Sequence, residues 1–88
     1  AYLYEQIHKE IKMTENIKLI DLLHALKRTG VRLAAIAETA GINKATIYSI
    51  SAGRGTSRVT ERYLRQVIAA NYPEQLKHIN ELAEMGVI

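Results

Sequence analysis

Chemistry in this sequence is carried mainly by its cations, and they are unevenly placed. Every arginine falls between Arg28 and Arg65, a stretch holding seven basic residues (Arg28, Arg32, Lys44, Arg54, Arg58, Arg62, Arg65) and two acidic ones, Glu38 and Glu61. That stretch carries +5 and the remainder −2, within an 88-residue chain of net charge +3. A local excess of guanidinium groups suits phosphate, which it meets with both charge and paired N–H donors. The groups needed for other chemistry are scattered or missing. There is no cysteine, which leaves no disulfide and no thiolate metal site. The histidines stand at 8, 24 and 78, Asp21 is the sole aspartate, and Glu81 and Glu84 fit a solvated helix face. No phosphate-loop, dinucleotide, zinc or nucleophile-elbow spacing occurs. Neither catalysis nor a metal, cofactor or small-molecule ligand is expected.

The elements that must position these cations follow from apolar spacing. A chain of this length with 48% apolar residues fits one domain, residues 1–88, with a modest core. Intervals of three and four dominate and turn residues are few, so the expected fold is all-α, a bundle of about five or six helices. Leu3, Ile7 and Ile11, at intervals of four, predict a helix over 3–12. Thr14 or Asn16 is expected to cap a second, from roughly Asn16 to Arg28, that turns Ile20, Leu23 and Leu26 inward with Leu19 and Leu22 beside them. A short helix from about Arg32 to Ala40 places Leu33, Ile36, Ala37 and Ala40 on one face. Asn43 is a good cap for the next, over 43–52, with Ile47 and Ile50 inward. A longer helix from Ser57 or Arg58 to Ala70 is expected to bury Val59, Tyr63, Leu64, Val67 and Ile68. Pro73 suits the first position of a last helix, 73–85, with Leu76, Ile79, Leu82 and Ala83 on one side. Val87 and Ile88 make an apolar tail.

The stretch from Leu33 to Arg54 imposes several demands at once. Two helices joined at a steep angle by three or four residues need a small residue where they cross, a left-handed turn residue, and an apolar plug. Ala37, Gly41 and Ile42 supply these in order. Ile47 and Ile50, six and nine residues after Gly41, then face inward from the second helix. This pattern resembles the helix-turn-helix of lambda repressor and Cro-type transcription regulators, often called XRE-like, through Ile36, Ala37, Gly41, Ile42, Ile47, Ile50, Gly53 and Arg54. The resemblance covers about residues 17–72. Two departures stand out. Arg32 and Leu33 occupy positions where that family often has a cap residue and a DNA-touching Gln, and the loop after Gly53 lacks the common proline.

The resemblance implies sequence-specific binding of double-stranded DNA by a transcription regulator, a repressor or an activator, with helix 43–52 in the major groove. Lys44, Ala45, Tyr48 and Ser49 would then face the bases: Lys44 toward guanine, Ala45 toward a thymine methyl, Ser49 as donor or acceptor, Tyr48 on a methyl or a phosphate. Arg32, Asn43, Thr46, Arg54, Arg58 and Arg62 would face phosphates, and Arg65 extends that stripe at i+7 from Arg58. The partner expected is DNA, and the terminal helices either pair with a second copy, near-palindromic sites being the rule for such proteins, or pack on their own domain. No apolar run approaches the roughly 18 residues that span a bilayer, and Tyr4 to Lys9 interrupt any signal-peptide core. A cytoplasmic, nucleoid-associated protein with no membrane partner is expected. Two alternatives share the fold: an antitoxin that also grips a toxin, and a protein-interaction module that no longer binds DNA.

Overall fold

The computed structural model describes residues 17–86. The helix expected over 3–12 and the tail at Val87 and Ile88 lie outside the described residues. Within them the chain forms five helices and no strand: α1 (Leu19–Arg28), α2 (Leu33–Ala40), α3 (Lys44–Ser51), α4 (Arg58–Asn71) and α5 (Pro73–Glu84). The all-α expectation is met, with bounds within a few residues of those read from the sequence.

The start of α1 is the largest boundary difference. Its N-cap is Lys18, which supplies no side-chain cap, so neither Thr14 nor Asn16 stands at the capping position. Leu19, Leu22, Leu23 and Leu26 are buried, whereas Ile20 is only half-buried. At the far end the Thr29 N–H and hydroxyl both reach the Leu26 carbonyl, at 3.0 and 2.7 Å. Val31 N–H also returns to Leu26, across a Gly30 with φ of 99°. The orphan carbonyls of the last turn are thereby partnered.

Gly41 closes α2 in the left-handed region (φ 71°, ψ 28°), and Ile42 N–H bonds back to Ala37 O at 3.0 Å. Asn43 then caps α3, its Oδ1 accepting from Ala45 N–H at 2.9 Å. Only three residues separate α2 from α3, and the two helices pack on each other and on their neighbours α4 and α1. Ala37 and Ile47 are fully buried and Ile50 nearly so. Ser57 caps α4, its hydroxyl accepting from Thr60 N–H, and Pro73 opens α5 at a position where a missing N–H costs nothing. One buried cluster draws on all five helices, which is how a chain without disulfides stabilises a small core.

Helix α4 sits rotated from its expected register. Its buried arc is Leu64, Ile68 and Ala69. Val59 precedes Leu64 by five residues, about 140° around the helix, and is 80% exposed. Tyr63 is 44% exposed, but its hydroxyl donates to the Ala40 carbonyl at 2.6 Å and ties α4 to the end of α2. Val67 is half-buried, as are Leu82 and Ala83 on α5.

Candidate nucleic-acid interface

The α3 helix is held from beneath and open above. Ile47 and Ile50 lock its inner side, Asn43 fixes its start, and its end is tied twice. Arg54 N–H bonds to Ser49 O across Gly53 (φ 94°), and the His24 ring, through Nε2, meets Ser51 O at 2.8 Å. His24 therefore positions α3 from α1; it is not assembled with other ligands, and no group of three His, Cys, Asp or Glu side chains among the described residues could hold a metal ion. The outer side of α3 presents Lys44, Ala45, Thr46 and Tyr48 exposed, with Ser49 half-buried. Tyr48 is 49% exposed, so α5 does not occlude it.

Exposed cations lie on α3, directly after it, and on α2 and α4. Arg32 lies at the start of α2, Arg54 directly after α3, and Arg58 and Arg62 on the first turns of α4, all exposed. None of them, nor Lys44, has an ion-pair partner among the described residues. Five exposed cations without an ion-pair partner among the described residues make a positive surface whose natural counter-charge is external. Tyr48 also borders a groove of about 410 Å³ between the end of α1 and the start of α2, where Lys27 and Arg32 stand together. Lys27 is a residue the sequence reading missed. In sequence it only suits the negative end of the α1 dipole, and its closeness to Tyr48 depends on how α1 meets α3. Arg32 is the N-cap of α2 but offers no capping oxygen, so the first-turn N–H groups there have no side-chain acceptor.

No protein-family model, curated protein or solved structure matches this chain.

One expected member of the phosphate stripe is not available. The Arg65 guanidinium donates to Ile17 O at 2.7 Å and approaches Glu61 at 4.0 Å, with its side chain only 12% exposed. The i, i+4, i+7 spacing that linked it to Arg58 and Arg62 is correct, but the buried arc of α4 begins on its side. Arg65 ties Ile17 to α4 and does not reach outward. No described helix is long and apolar enough to cross a membrane.

Proposed function

We propose that this chain is a sequence-specific double-stranded DNA-binding protein, a transcription regulator that lays α3 in the major groove through a helix-turn-helix formed by α2, Gly41–Asn43 and α3. The observation that carries the reading is the two-sidedness of α3: two isoleucines pinned below, and Lys44, Ala45 and Tyr48 exposed above, with the exposed Arg54 directly after the helix. A rigid helix with an unobstructed outer face matches the width of the major groove. In this docking Lys44 and Ser49 read base edges, Ala45 and Tyr48 meet thymine methyls, and Arg32, Thr46, Arg54 and Arg58 hold phosphates on either side. Asn43 acts chiefly as the cap, bringing the start of α3 to the backbone with its dipole toward a phosphate. The working place of such a protein is the cytoplasm, on the nucleoid.

A second reading is a protein-interaction module that retains this fold. It is favoured by the composition of α3, which carries no Arg, Asn or Gln, so that Ala45 and Tyr48 share the outer face with only Lys44, Thr46 and Ser49. Selection of bound sequences from a random duplex pool tests the first reading: it predicts enrichment of a common motif. Failure to retain any duplex at low salt, where a true DNA binder shows at least non-specific affinity, supports the second.

A further inference from the structure

A helix laid in the major groove tells base pairs apart with the groups on its outer face, and α3 carries few that can bond a base edge. Its eight residues include no Arg, Asn or Gln, the side chains that grip a guanine or an adenine with two hydrogen bonds. Asn43, directly before the helix, has its Oδ1 committed to the Ala45 N–H at 2.9 Å. The Ser51 hydroxyl turns back to the Tyr48 carbonyl at 3.0 Å, and Ser49 is half-buried. Lys44 is exposed, but its ammonium is a flexible point charge without a fixed pairing geometry. The remaining exposed surface is largely carbon: the Ala45 methyl and the Tyr48 ring, which is 49% exposed. These two stand three residues apart and so adjoin on one side of the helix. The feature of the major groove that a carbon surface can recognise is the C5-methyl group of a pyrimidine.

We infer that, at the base pairs facing Ala45 and Tyr48, this chain recognises the C5-methyl group itself and not the base pair that bears it. Thymine and 5-methylcytosine are accepted alike there, and uracil and unmodified cytosine are rejected alike. The inference rests on the major-groove docking proposed above and adds to it the chemical group that is read. Thymine and 5-methylcytosine hold the methyl at the same ring position and differ at C4, a carbonyl in one and an amino group in the other. Neither the Ala45 methyl nor the ring carbons of Tyr48 can bond to a C4 substituent, so exchanging one for the other costs little at this contact. Removing the methyl, by contrast, uncovers the carbon surface that it occupied. One buried methyl is worth about fourfold in affinity, and two about fifteenfold. A duplex with cytosine at these positions is therefore bound tightly only when that cytosine is methylated at C5, which makes binding responsive to a covalent mark on the DNA.

The test crosses the methyl group with the base pair. A duplex is enriched from an unmodified random pool with the full-length chain, and each thymine of the shared motif is replaced in turn by uracil opposite adenine, by 5-methylcytosine opposite guanine, or by cytosine opposite guanine. Fluorescence anisotropy compares the four forms at each position. At one or two thymines, uracil and cytosine should each weaken binding by about fourfold, while 5-methylcytosine stays within about twofold of thymine. Tyr48→Phe, which keeps the ring, should preserve this pattern. Tyr48→Ala, with its fold checked by circular dichroism, should erase the methyl effect at one position. Three results overturn the inference and leave the docking standing: a selected motif without a shared thymine, uracil bound as tightly as thymine at every position, or 5-methylcytosine bound as weakly as cytosine, which would make the A·T edge the recognised feature. Failure to retain any duplex at low salt overturns the docking and the inference together.

Discussion

Replacing Gly41 isolates the corner that aims α3. Gly41 holds φ 71° and ψ 28°, and a Cβ built there meets nothing within 4 Å. The penalty of Gly41→Ala is therefore conformational and not steric. The left-handed region costs a non-glycine residue about 1–2 kcal/mol. Ala recovers about 0.4–1 kcal/mol by restricting the unfolded chain, leaving a net loss of about 1 kcal/mol. Gly41→Asn, which tolerates this region better, should lose less, and the β-branched Gly41→Val more. Thermal and urea unfolding followed by circular dichroism measure the series. For a domain of this size each kcal/mol is worth about 4–8 °C in Tm. The order Asn, Ala, Val in increasing loss is the expected outcome. A stabilised Gly41→Ala, or losses that follow side-chain volume without regard to backbone preference, would refute the argument that conformation alone fixes this corner.

Three further outcomes follow from single contacts. Tyr63→Phe removes the hydroxyl that donates to Ala40 O without changing shape, and should cost about 1 kcal/mol by urea unfolding while leaving duplex affinity unchanged. Asn80 is buried and its Nδ2 has no hydrogen-bond partner among the described residues; Asn80→Leu, of similar volume, should raise the urea midpoint, by about 1–2 kcal/mol of stability, because an orphaned amide donor is removed. Asn43→Ala deletes the cap on Ala45 N–H and should cost about 1 kcal/mol, with some loss of duplex affinity because the start of α3 frays.

Much of this fold was legible because its signals are local. Gly30, Gly41, Gly53 and Gly86 all stop helices with positive φ, and Asn43 and Pro73 open them as their chemistry requires. The inward pairs Leu23 with Leu26 and Ile47 with Ile50 follow directly from a period of 3.6. What failed was the rotation of α4. Its sequence offers two overlapping apolar stripes, one through Val59 and Tyr63 and one through Leu64 and Ile68. Only tertiary contact with α2 and α5 selects the second. The roles of Arg65, Lys27 and His24 were hidden for the same reason: each depends on a neighbour distant in sequence, Ile17 for Arg65, Tyr48 for Lys27 and Ser51 for His24. The candidate site was legible where it lies on one helix, in Lys44, Ala45 and Tyr48, and not where separate helices assemble it.

The most direct test of the α3 reading is fluorescence anisotropy of Lys44→Ala and Arg54→Ala on a pool-selected duplex and on a scrambled one, each across a salt series. Arg54→Ala should weaken both duplexes alike and reduce the slope of log K against log salt by about 0.9, the loss of one phosphate contact. Lys44→Ala should instead narrow the gap between selected and scrambled duplex by about 1–3 kcal/mol. If both variants bind each duplex as the parent does, with the same salt slope, α3 does not face DNA.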